Sequence, residues 1–127
     1  MDPPAHLYAD RTTLDRFPVE QFIGKALVID CRELHEGEAI TVDHILKYGE
    51  KADKADFLLF NLGWDKYWGM DAHLTRHKKL FKECDIVNIE NLMNLELCGD
   101  ELFWFSCFPL KMENCDGSPI RAIAWFE

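Results

Sequence analysis

The sequence predicts a mixed fold, α/β or α+β, and three observations carry that reading. Residues 26–31 and 56–61 are short apolar runs of strand length. Between them lies an amphipathic stretch with its own helix start and stop signals. In the second half the runs 86–90, 101–108 and 120–125 are separated by turn residues, so strands dominate there. With 127 residues the expectation is a single domain, 1–127. A chain of that length buries roughly two-thirds of its unfolded surface.

Residues 1–13 are polar and proline-bearing, an extended entry. Pro3 and Pro4 each fix φ at about −65°, and Asp2 and Pro3 are held extended because each precedes a proline. Such a segment can aim the Asp2 carboxylate and the His6 imidazole into one site at small entropic cost. Residues 13–24 contain a short helical turn, with Pro18 at its start and Gly24 as its stop. Thr41 caps a helix through His44 and Lys47 that ends at Gly49, with Asp43 well placed in the first turn. Gly63 opens the loop after the second strand. Residues 64–70 form an aromatic loop, and Asp71 caps a helix through His77. The third strand, 86–90, delivers Glu90 near its end, and residues 116–119 turn the chain between the last two strands.

Hydrophobic residues make up 48% and charged residues 29%, a globular composition. A net charge of −9 argues against a phosphate backbone or an anionic membrane as partner, so no nucleic acid is expected. No apolar run reaches membrane-spanning length, and no basic segment followed by an apolar one marks a signal peptide. The five cysteines are odd in number and lack a Cys-x-x-Cys pair. They read as reduced, mostly buried thiols of a cytoplasmic protein, without a disulfide framework or a thiolate zinc site.

The candidate chemistry lies in histidines and carboxylates, the ordinary N and O ligands of Zn²⁺ and Mn²⁺. Asp2 and His6 share the stiff entry segment, His44, His73 and His77 follow, and Glu90 ends a strand. The spacing Asp-x3-His alone is weak and equally fits a polar terminus. His73 and His77 stand four apart on one helix face, but Leu74 occupies the place of a zincin's general-base Glu, so a solvated face is the plainer reading. His44 reads as a surface or satisfied core histidine. Cys31 and Cys107 sit in apolar runs and read as packed. Trp64, Tyr67 and Trp68 suit a pocket for a planar substrate and suit a core equally. Neither a phosphate-cradling glycine loop nor a Gly-x-Ser-x-Gly nucleophile elbow is present.

The run Met1-Asp2-Pro3-Pro4-Ala5-His6-Leu7, then Thr13-Leu14-Asp15, Phe22-Ile23-Gly24 and Ala26-Leu27-Val28-Ile29-Asp30, resembles the Putative cyclase family. That family includes bacterial kynurenine formamidase (arylformamidase) and isatin hydrolase. The likeness continues through Gly63-Trp64, Tyr67-Trp68-Gly69, His77-Lys78-Lys79-Leu80, Ile89-Glu90-Asn91-Leu92 and Phe108-Pro109-Leu110-Lys111 to Asp116-Gly117-Ser118-Pro119. The family signature reads His-x-Gly-Thr-His-x-Asp-x-Pro-x-His, and Asp2, Pro4 and His6 match its last three marked positions. By this resemblance Asp2, His77 and Glu90 are metal ligands and His6 is the acid/base histidine. On composition alone, Trp64, Tyr67 and Trp68 are expected to contact an aromatic substrate, with Trp64 and Trp68 as the substrate-binding pair.

The resemblance implies a swivelling β/β/α fold, here incomplete, and a homo-oligomer. It implies metal-assisted hydrolysis of a linear or cyclic amide in a small molecule, with Zn²⁺ or Mn²⁺ as cofactor. The chain departs from the family in two places. It begins one residue before Asp2, without the His-x-Gly-Thr-His half, and Arg76 runs directly into His77 where the family carries a further helix and strand. With Asp2, His77 and Glu90 as the ligand set, the expectation is weak metal affinity and low amidase activity. The alternative is a non-catalytic cyclase-like binding or remnant protein.

Overall fold

The strand around which the sheet is built is β1, Ile23–Asp30. In the computed structural model, which describes residues 1–35, 37–67 and 86–126, β1 lies inside a four-stranded sheet. The other strands are β2 (Phe57–Asn61), β3 (Phe103–Ser106) and β4 (Ile123–Trp125), in the order β2-β1-β3-β4. β1 runs parallel to β2 and antiparallel to β3, and β3 runs antiparallel to β4. A parallel pair needs a crossover. Helices α1 (Val42–Leu46) and α2 (Glu50–Asp53) lie on it.

Side chains alternate across a strand, and β1 buries both sets. Ala26 and Val28 join Leu14, Phe22, Leu59, Phe103, Phe105 and Cys107 in one core cluster. Leu27, Ile29 and Cys31 form the other, against Tyr48, Ala52, Ala55, Leu58 and Phe60. Double-sided burial is the reason the run from Ala26 is continuously apolar. Phe57 and Phe105 meet edge to face with ring centroids 5.2 Å apart.

Three sequence expectations need correction. The helical turn of residues 13–24 is two 3₁₀ turns, Leu14–Arg16 and Val19–Phe22, and Gly24 is not a stop but a member of β1 opposite Phe105. A Cβ on Gly24 would lie 2.8 Å from the Asp56 Cβ. Asp56 sits there because its carboxylate accepts the Lys25 N–H at 2.8 Å, so this glycine is set by a close approach. Residues 86–90 form no strand; Asn88 makes one isolated bridge with Asp2. Asn91 and Asn94, at φ 59° and 62°, turn the chain out of extended backbone directly after Glu90. His44 is neither loose surface nor core. It stands at the third helical position of α1 and its Nδ1 accepts the Thr41 N–H at 3.0 Å, completing a capping box.

The strands and α1 agree with the sequence in kind, whereas α2 and the 3₁₀ turn Pro4–His6 were not expected from it. β1, β2, β3 and β4 fall within or around the expected runs. Among the described residues no helix is long and apolar enough to cross a membrane. Cys31, Cys98, Cys107 and Cys115 are free thiols, Cys31 and Cys107 buried and the other two half-buried. Burial pushes the Cys107 thiol up to about 11.

Phe103 is 1% exposed at the centre of the first cluster. Phe103→Ala is expected to cost about 3–5 kcal/mol in urea unfolding. The Cys107 thiol gives stability a defined pH sign. An unfolded thiol ionises near 8.5, while the folded one holds its proton to about 11. Stability therefore falls as pH rises through this window and loses nothing from this group below it. Cys107→Ala is expected to flatten that slope in denaturation curves taken at successive pH values.

Candidate functional site

The first two residues are stitched into the body from both sides. The Met1 ammonium donates to the Ser118 carbonyl at 3.1 Å, and Ser118 N–H returns a bond to the Met1 carbonyl at 3.0 Å. Asp2 and Asn88 exchange both backbone bonds, at 2.8 and 2.9 Å. Pro3 and Pro4 are fully buried, so the stiff entry segment is anchored by packing as well as by hydrogen bonds. Pro4 opens a 3₁₀ turn, Pro4–His6, which the His6 N–H closes onto the Pro3 carbonyl at 3.0 Å.

Three predicted residues converge on this edge. Val87 and Ile89 pack against the first core cluster, which leaves Asn88 and Glu90 on the alternate side. The Asn88 amide donates to Glu90 Oε1 at 2.9 Å, so Asp2 and Glu90 lie on either side of Asn88, one held by its backbone and one by its side chain. His6 is exposed, with Nδ1 3.2 Å from the Asp116 carbonyl. Gly117 follows; a Cβ there would come within 3.2 Å of Asp2 Oδ1, so the turn leaves room for that carboxylate. Asn88, Asp116 and Gly117 are contacts of Glu90, His6 and Asp2 that sequence reasoning missed. The available signals were the two-residue spacing of Asn88 from Glu90 and the glycine in the 116–119 turn.

His77, Trp68 and His73 lie outside the described residues. Trp64 is half-buried and lines neither of two clefts, of about 460 and 260 Å³, that open at the carboxyl ends of β1 and β2. Carboxylates at Asp2 and Glu90 with a nearby imidazole have the chemistry of a Zn²⁺ or Mn²⁺ ligand set. Yet among the described residues no three His, Cys, Asp or Glu side chains gather closely enough to hold an ion. Asp2 and Glu90 therefore fit a metal as part of a ligand set, and the described residues do not complete it.

Comparison with known proteins gives consistent results. Residues 1–96 match the model of a family described as Putative cyclase. An uncharacterized protein of Methanocaldococcus jannaschii, MJ0783, is 29% identical over an alignment 120 positions long that covers 70% of this chain and 63% of that protein. The match thus spans less than two-thirds of that relative's length. A solved structure described as a potential metal-dependent hydrolase with cyclase activity superposes with a TM-score of 0.64 over 97% of this chain and 75% of its own, at 18% identity. That likeness establishes a cyclase-like mixed fold.

The clamp on Glu90 has a measurable worth. Asn88→Ala removes the amide donor and keeps the backbone bridge, so a loss of about 1 kcal/mol in urea unfolding is expected. Amide exchange at Asp2 should stay protected, which checks that the bridge survives.

Proposed function

The chain belongs to the Putative cyclase family, and from that premise we propose that it is a metal-dependent hydrolase of a small-molecule amide, linear or cyclic, of the arylformamidase type. The observation that carries the reading is the Asp2–Asn88 bridge, which brings the Asp2 and Glu90 carboxylates to one edge. These two, with His77 from outside the described residues, would hold Zn²⁺ or Mn²⁺. When bound, such an ion lowers the pKa of a water molecule and polarises a carbonyl oxygen.

His6 has its own part to play. A carbonyl oxygen only accepts, so the contact with the Asp116 carbonyl places the neutral ring's proton on Nδ1. Nε2 is then the basic nitrogen, suited to take a proton and return it to the leaving amine. The turn at residues 116–117 thus sets both the tautomer of His6 and the space beside Asp2. Trp64 and Trp68 supply aromatic surface for the acyl or aryl portion of a planar substrate. The single domain acts in the cytoplasm as a homo-oligomer; exposed Ile123, Trp125 and Phe126 on and beside the edge strand β4 support association.

A second reading is a non-catalytic cyclase-like binding protein. Metal analysis of the purified protein separates the two, combined with hydrolysis of an N-formyl aryl amine under added Zn²⁺ or Mn²⁺. For the hydrolase, metal is bound and lost in Asp2→Ala and Glu90→Ala, whereas His6→Ala keeps its metal and loses about 10²-fold in rate. A parent protein that takes up no metal and cleaves no amide is the non-catalytic one.

A further inference from the structure

The parallel strands β1 and β2 end side by side, Asp30 opposite Asn61. Open α/β sheets hold ligands beyond such carboxyl ends, and two clefts among the described residues open there. The larger, of about 460 Å³, is lined among others by Val28, Tyr48, Asn61, Leu95, Glu96 and Asp100. The smaller shares Arg32, Asn61 and Glu96 with it and adds Asp65 and Lys66. Neither is lined by Asp2, His6 or Glu90.

Asn61 is the informative residue. It is only 8% exposed, and it lines both clefts. Oδ1 accepts the Gly63 N–H at 3.0 Å, which fixes the orientation of the amide. Nδ2 then has no hydrogen-bond partner among the described residues. Every fully buried side-chain nitrogen or oxygen among those residues does have one. Nδ2 is therefore not sealed in the core, and the clefts are where it opens. Tyr48 adds a second donor, since its oxygen accepts the Asp30 N–H at 2.9 Å and leaves its own hydrogen to donate.

The charges around these donors restrict the ligand. Asp30 is neutralised by Arg32, through bonds of 2.8 and 2.6 Å. Glu96, Asp100 and Asp65 remain, against Lys66, so the surroundings are net negative and disfavour a carboxylate. A bare ammonium would satisfy the acids and leave Asn61 Nδ2 without an acceptor. A group that accepts at one atom, donates at the next and carries no charge satisfies both. We propose that this cleft binds a primary carboxamide on a small apolar or aromatic body. Its carbonyl oxygen takes hydrogen bonds from Asn61 Nδ2 and the Tyr48 hydroxyl, its NH₂ donates to Glu96, and its body lies against Val28 and Leu95. The site needs neither metal nor His6, so it does not rest on the hydrolase reading.

Three isosteric probes test it by ¹⁵N NMR titration of the full chain: benzamide, benzoate and benzylamine. Benzamide is expected to shift the Asn61 side-chain NH₂ and the Gly63 and Glu96 amides, and to bind about tenfold more tightly than either charged probe. Asn61→Asp keeps the oxygen that accepts from Gly63 and removes the donor; it should weaken benzamide about tenfold and turn the preference to benzylamine. Glu96→Gln, at an exposed position that does not threaten folding, should weaken benzamide and relax the exclusion of benzoate. Equal binding of benzoate and benzamide, shifts confined to other surfaces, no binding of any probe, or benzamide binding indifferent to both substitutions overturns the proposal. Hydrolysis is not part of the readout, so each claim can fail alone.

Discussion

The rest of the structure depends on the burial of β1 on both of its faces. A strand with one solvated face would position one set of neighbours; this one positions two. The side carrying Ala26 and Val28 gathers Met1, Val87, Ile89 and Leu92 against the first cluster, and so brings Asp2 and Glu90 to a common edge. The side carrying Leu27 and Ile29 gathers Tyr48, Ala52 and Ala55, so the crossover is pinned to the sheet. With the crossover pinned, β2 pairs in parallel register and Asn61 stops opposite Asp30. The carboxylate edge and the polar cleft are thus two consequences of one eight-residue strand.

At the N-terminus the constraint is of another kind. Asp2 has no regular strand to hold it; one reciprocal pair of backbone bonds with Asn88 does the work, and the burial of Pro3 and Pro4 restricts the segment on the other side. The stiffness lowers the entropy lost on ordering, which is why so short a contact suffices to fix a carboxylate. The chain as a whole carries −9, and the shortest ion pairs among the described residues span both short and long sequence separations. Arg32 holds the Asp30 carboxyl below its ordinary range through direct hydrogen bonds, and Lys51 pairs with Glu101 at 2.7 Å. Glu90 is held in another way: its Oε1 accepts a hydrogen bond from the neutral Asn88 amide at 2.9 Å.

The sheet was legible in the sequence to the extent that its signals are local. Runs 26–31 and 56–61 are apolar because their strands are buried, and Thr41, Asp43 and Gly49 mark α1 through capping physics alone. Gly24 misled because a glycine after a helical turn reads as a stop, whereas its cause is the Asp56 side chain thirty-two positions away. Residues 86–90 look like a strand by composition, but the partner they meet is Asp2, and Pro3 and Pro4 after it have no N–H to extend the pairing. Asn61 gave no signal of a site, since its meaning arises only when β1 ends beside it and Gly63 claims its oxygen. Asp2, His6 and Glu90 were singled out through resemblance rather than spacing, and among the described residues no three His, Cys, Asp or Glu side chains close around one point.

The most direct test of the central claim, that the Asp2–Asn88 bridge builds a cation-attracting carboxylate edge, is paramagnetic broadening of the ¹⁵N NMR spectrum by substoichiometric Mn²⁺. The signals of Asp2, Asn88, Glu90 and Gly117 should broaden first and together, ahead of the more exposed acids Asp100 and Glu101. Broadening that starts at those surface acids, or spreads evenly over the acidic surface while Asn88 stays sharp, would contradict it.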